Sequence, residues 1–236
     1  MVKLRVNRDY RKEKKSTVIA GFKLIKELAS EINFNALVLA DETPEPDFFP
    51  KNVPIYRMPL SLLKKISGLE NPEPCLAEVE LPEESKLTGI NFLIVLDGVS
   101  DPGNLGTLIR TALALGWEGV FLAPNCTDPF NEKAVRAAKG ATFRIPLKTG
   151  SWEDLNEVVR QNKMKAYLAD VRGSPLQETK CKPPLVLILS NESQGASNEA
   201  KKLAEPLSIP MSEKMESLNV AIAGAIFMYL IKTDVR

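Results

Sequence analysis

The chain has 236 residues, 44% of them apolar, and 31 Lys and Arg against 30 Asp and Glu leave a formal net charge of +1. That length fits one large domain or two modest ones with a sizeable core, and the net charge by itself points to no nucleic-acid partner. Histidine is absent, which excludes Ser-His-Asp and Cys-His catalysis and any His-ligated metal, while Cys75, Cys126 and Cys181 are too scattered for a zinc site or disulfide framework and fit a reducing, cytoplasmic setting.

The opening stretch MVKLRVNRDYRKEKK sets Lys3, Arg5, Arg8, Arg11, Lys12, Lys14 and Lys15 against Asp9 and Glu13. It reads as a basic arm suited to phosphate contacts, or as a solvated terminus. It has no apolar h-region, so no signal peptide is expected. STVIAGFKLIKELASEI (16–32) predicts a turn into an amphipathic helix, with Phe22, Ile25, Leu28 and Ala29 at helical spacing. ALVLA (36–40) predicts a buried strand. MPLSLLKKISGL (58–69) predicts a short helix, with Pro59 near its start and Gly68 near its end. CLAEVEL (75–81) alternates as a strand, and PEESKLTG (82–89) is a polar, punctuated linker. Residues 1–85 therefore read as a small α/β unit.

Strands and helices alternate through residues 86–236. NFLIVLDGV (91–99) is a continuous apolar strand of the kind found inside a parallel sheet. A helix follows from about Asn104 to Leu115, with Arg110 inside its apolar pattern and Gly116 at its end. GVFLAP is the next strand, NEKAVRAAKG a helix and TFRIPL a short strand. SWEDLNEVVRQNK opens with a Ser cap and acidic residues, as a helix should. KAYLADV and PLVLILS are strands, SNEAKKLAEP a helix, LSIPM a last strand and SLNVAIAGAIFMYLIK a final helix. The longest apolar run, LNVAIAGAIFMYLI (218–231), is too short to span a bilayer comfortably. The βα alternation predicts a parallel sheet covered by helices on both faces.

Ligands of such sheets bind beyond the carboxyl ends of the strands. Three polar loops fall there: DGVSDPGNLG, SNESQGAS and IPMSEKMESLN. They are rich in Asn, Ser, Glu and Gly, which hydrogen-bond a ligand or let backbone approach it. The first follows a strand and opens a helix, as a dinucleotide-binding turn does. Its glycines, Gly98, Gly103 and Gly106, do not fit G-x-G-x-x-G, however, and no P-loop is present.

The three loops resemble, in order, the three motifs of the SpoU family of RNA ribose 2′-O-methyltransferases in the SPOUT superfamily. DPGNLGTLIRTA matches Asn-x-Gly-x-x-x-Arg-x-Ala. LILSNESQGAS is similar to the second motif, with Asn-Glu and a later Gly. IPMSEKMESLNVAIA matches the third. Residues 1–85 resemble, less strongly, the substrate-binding domain that precedes the catalytic domain in rRNA-modifying members. The resemblance implies an α/β catalytic domain over residues 86–236 with a trefoil knot, S-adenosylmethionine as cofactor, no metal, and a homodimer with each active site near the subunit interface. It also implies RNA as partner, with rRNA of the large subunit ahead of tRNA. An RNA-binding assembly factor on the same frame is the non-catalytic alternative.

The resemblance makes Arg110 the central catalytic residue. Two roles are open to it: general base, or a guanidinium that grips the target phosphate and polarises the hydroxyl. A guanidinium is essentially always protonated, which favours the second. Asn104 would orient Arg110 or the ribose, Glu192 would hold substrate or arginine, and Ser217 and Asn219 would bond the arginine, the ribose or the methionine carboxylate. The cofactor pocket implied by resemblance comprises Ser190, Gly195, Ile209, Met211 and Leu218. Ser190 stands where the family usually has glycine, and its hydroxyl either crowds the cofactor or makes a compensating bond. Ala221, Gly224 and Ala225 would let a second helix approach, or meet the chain's own core.

Overall fold

A computed structural model describes residues 1–191, 194–212 and 214–233. The first elements are α1 (Val2–Val6), α2 (Arg8–Lys14), β1 (Ser16–Ala20), α3 (Phe22–Leu28), β2 (Phe34–Ala40), β3 (Ile55–Met58), α4 (Leu60–Ser67) and β4 (Cys75–Glu80). There follow β5 (Phe92–Asp97), α5 (Pro102–Ala114), β6 (Gly119–Leu122), α6 (Glu132–Ala138), β7 (Leu147–Thr149) and α7 (Trp152–Gln161). The last are β8 (Lys165–Pro175), β9 (Leu185–Ser190), α8 (Asn198–Leu203), β10 (Glu205–Ser208) and α9 (Val220–Thr233). They form two compact units, one of Met1–Glu83 with Asp128–Phe143, the other of Glu84–Thr127 with the chain from Arg144 onward.

The first unit holds a sheet in the order β1-β4-β2-β3, antiparallel except for the β2–β3 pair. Its elements differ from the expected ones in two places. Residues 16–20, read as a turn, are a strand. Ser16 to Ile19 are buried and pair with β4, a setting that suits β-branched Thr17, Val18 and Ile19. The basic N-terminal segment is not an arm but the two helices α1 and α2. Leu4 anchors it in a cluster with Val18, Val38, Leu63 and Leu76.

Residues 128–143 depart from the expected single break near residue 85. They leave the βα alternation and join the first unit's core, where Phe130, Val135 and Phe143 pack with Ile19, Leu37 and Cys75. Arg11, 3% exposed, pairs there with Asp128 and donates to the carbonyls of Leu4 and Arg5.

The second unit holds a wholly parallel sheet in the order β10-β8-β9-β5-β6-β7. Period-two alternation divides its side chains between two faces. Leu93, Val95, Phe121, Val186 and Ile188 meet Leu155 and Val158 of α7 and Ala200 of α8. The other face carries α5 and α9, which pack together. Gly224 lies against Leu108 and Leu189 with no room for a side chain, and Trp117 Nε1 donates to the Met228 carbonyl at 3.3 Å. Ala221 and Gly224 thus serve the chain's own packing. Gly173 likewise sits where β8 and β10 backbones nearly touch, so that any Cβ would overlap Pro206 and Leu207. In place of the strand expected at TFRIPL there is a 3₁₀ turn at Ala141–Phe143 followed by β7, and β10 ends before Ile209. Among the described residues no helix is long and apolar enough to cross a membrane.

Candidate active site

The three polar loops are built by capping and by cross-loop bonds. Asp101 caps α5 by accepting from the Asn104 amide at 2.7 Å, with Pro102 in the first turn. Asp97 and Ser190, the last residues of β5 and β9, face each other in register. Asp97 is buried, and its Oδ2 accepts from the Ser190 hydroxyl and from the Ser197 amide, both at 2.9 Å. Asn191 Nδ2 donates to the Gly98 carbonyl at 3.0 Å and to Ser100 Oγ at 3.1 Å. In the third loop Asn219 caps α9, its Oδ1 accepting from the amides of Ala221 at 3.0 Å and Ile222 at 3.3 Å. Its Nδ2 donates to Asn104 Oδ1 at 3.1 Å, which joins the first loop to the third.

Between β8, the second loop and the third lies a cavity of about 390 Å³. Ser190, Gly195, Ile209, Met211 and Leu218 all line it, and so does Ser217. Leu189, Leu207, Val220 and Phe227 make its wall apolar, while Asp170, Arg172 and Lys201 bring charge to it. The Arg172 side chain, bonded to Asp170 at 3.3 Å, and the Arg172 amide at 2.9 Å hold the Asp170 carboxyl below the usual carboxylate range.

The other expected residues are placed as follows. Asn104 and Asn219 are brought together, but Asn104 bonds Asn219 and not Arg110. Six residues apart on a helix, Asn104 and Arg110 face different sides. Arg110 is exposed, not enclosed by its apolar neighbours; it makes no hydrogen bond or ion pair among the described residues and lies outside the cavity wall. Glu192 lies outside the described residues. Of the basic set, Lys3, Arg8, Lys12, Lys14 and Lys15 are exposed and Arg5 is half-buried. Arg11 is buried and ion-paired, which corrects its reading as a phosphate contact. Sequence reasoning missed Asp97, Asn191, Asp170, Arg172 and Lys201. The signal for Asp97 was an acid closing an otherwise apolar strand, FLIVLD, since a buried carboxylate needs donors.

Residues 91–229 match the family model of the SpoU rRNA Methylase family. The chain belongs to this family. A relative from Bacillus subtilis (strain 168), 23S rRNA (guanosine(2553)-2′-O)-methyltransferase RlmP, is 33% identical over 91% of this chain and 88% of its own. An rRNA methyltransferase from Sinorhizobium meliloti, solved with AdoMet bound, superposes with a TM-score of 0.84 at 26% identity, covering 98% of this chain and 92% of that one. The SpoU methyltransferase AviRb from Streptomyces viridochromogenes shares the fold with a TM-score of 0.86 at 24% identity, over 98% of this chain and 94% of its own. Among the described residues no group of three or more Cys, Asp or Glu is placed to hold a metal ion.

Proposed function

We propose that this SpoU methylase transfers a methyl group from S-adenosylmethionine to a ribose 2′-hydroxyl of large-subunit rRNA. The observation that carries this reading is the convergence of the three motif loops, with Ser190, Gly195, Ile209, Met211 and Leu218 on one cavity and Asn104 bonded to Asn219 beside it. The relative named for a 23S rRNA guanosine supports the substrate class.

The cavity fits the cofactor in size and chemistry. Its volume lies in the range of small-molecule sites, its apolar wall suits an adenine, and its polar groups suit a ribose and an amino acid. Ser190, Gly195, Ile209, Met211 and Leu218 would hold it. When bound, S-adenosylmethionine supplies a methyl group already made electrophilic by its sulfonium, which leaves the protein the tasks of aiming and orienting. Arg110 is suited to grip a target phosphate and polarise the 2′-hydroxyl, because it is permanently charged and unpaired among the described residues. Asn219 holds Asn104 in place, and Ser217 lines the cavity, where its hydroxyl is suited to bond the ligand. Glu192 would act from the same loop as Ser190.

Arg110 stands outside the cavity of its own chain, while Ile222 and Tyr229 expose apolar side chains on α9 at 54% and 56%. A homodimer that covers this face and completes each site near the interface accounts for both. The first unit would bind RNA through Lys3, Arg8, Lys12, Lys14 and Lys15, and a trefoil passage of the segments carrying the second and third motifs belongs to the same reading. The setting is the cytoplasm. The test is incorporation of label from S-adenosylmethionine into unmodified rRNA and tRNA. Label in 23S rRNA is expected. Label in tRNA alone would reassign the substrate, and binding of rRNA without transfer would favour an assembly factor.

A further inference from the structure

Ser190 is the residue at which β9 leaves the sheet, and Ser197 is the N-cap of α8, its own side chain accepting from the Ala200 amide at 3.1 Å. Both donate at 2.9 Å to the same oxygen, Oδ2 of Asp97. Asp97 is only 6% exposed, and a carboxylate so placed depends on its donors. One atom therefore pins both ends of the connection between β9 and α8. Asn191, Gln194, Gly195 and Ala196 of that connection line the cavity. A glycine at position 190 would leave Asp97 one donor fewer and would free the backbone where the wall begins.

We propose that Ser190 is a positioning residue. Its hydroxyl, through Asp97, fixes the shape of the cavity wall and thereby sets affinity for the methyl donor. The proposal rests on the cavity being the S-adenosylmethionine site. It is opposed to a plain steric reading, in which the side chain merely intrudes on the cavity and its removal tightens binding. The two readings predict opposite signs for Ser190→Gly.

The experiment is titration calorimetry with S-adenosylmethionine on the full chain, for wild type, S190G, S190A and S190T, for D97A, and for S190A combined with D97A. Loss of a hydrogen bond to a charged group should weaken binding by about tenfold in S190G and S190A. S190T keeps a hydroxyl and should restore most of the affinity. On the D97A background, S190A should cost less than about twofold, as expected when two groups act as one unit. Amide exchange at residues 194–197 of the ligand-free protein should quicken in S190A. Binding by S190G as tight as wild type or tighter would overturn the proposal. So would an S190A penalty of equal size with and without Asp97, or lowered thermal stability with unchanged affinity. If wild type binds no S-adenosylmethionine, the cofactor reading is what fails, and the exchange comparison then judges the strut alone: unchanged exchange would overturn it.

Discussion

Arg11 and Arg110 are helix arginines in different units, and their surroundings divide them. Arg11 is buried, and its guanidinium is consumed by Asp128 and by the carbonyls that end α1. Arg110 is exposed, with no hydrogen bond or ion pair among the described residues. A guanidinium is charged in either place, so what separates a strut from a group available to substrate is whether the fold itself supplies the anion. The first unit uses its arginine to hold residues 128–143 in its core. The second ties its loops with Asp97, Ser190, Asn191, Asn104 and Asn219 and leaves Arg110 without a partner among the described residues.

Removing each arginine in turn should separate the two roles. Arg110→Ala should lower methyl transfer by about 10²–10³-fold, the scale of losing a charge-stabilising donor. Its unfolding free energy in denaturant should stay within the roughly 0.5 kcal/mol typical of surface changes. Arg11→Ala should do the reverse, costing about 3–5 kcal/mol in chemical denaturation because Asp128 is left without its partner. A stability loss in Arg110→Ala, or none in Arg11→Ala, would invert the assignment. Next in size, Gly173→Ala should cost about 1–3 kcal/mol by forcing the backbones of β8 and β10 apart, read by thermal unfolding and by weaker cofactor binding at the adjacent wall.

Smaller effects concern exposed charge. Lys12→Ala and Lys15→Ala should each reduce the salt dependence of RNA binding by roughly 0.7–0.9 in log–log slope, measured by filter binding across a salt series. A slope that does not change would remove the first unit from the RNA contact. The Asp170–Arg172 pair should matter least, because solvent screens so exposed an arginine. Since the carboxyl is depressed in the folded state, its contribution is present above the ordinary aspartate value of about 4. It fades as the pH falls through the lower folded value, so Asp170→Asn and wild type should converge in stability in acid.

What the sequence could disclose follows from how local each feature is. The three loops were legible because their residues are neighbours in the chain, and Pro102, Gly68 and Ser151 punctuate their helices where backbone chemistry requires. The parallel sheet was legible in the uninterrupted apolar strands 92–97 and 185–190. Helical spacing in α6 could not say which unit's core its apolar face would join. The strand at 16–20 depends on a partner some sixty residues away, and the burial of Arg11 on one 117 residues away. The bond from Ser190 to Asp97 was not legible, because its donor and acceptor meet through sheet register rather than sequence.

The most direct test of the account is where the methyl group goes. A ribose 2′-O-methyl removes the hydroxyl that alkaline cleavage requires, so unmodified 23S rRNA treated with the protein and S-adenosylmethionine should acquire one alkali-resistant linkage. That linkage should be absent when Arg110→Ala replaces wild type. Incorporated label with no resistant linkage would place the methyl on a base, and an undiminished signal in Arg110→Ala would deny that arginine its part in the chemistry; either would contradict the account.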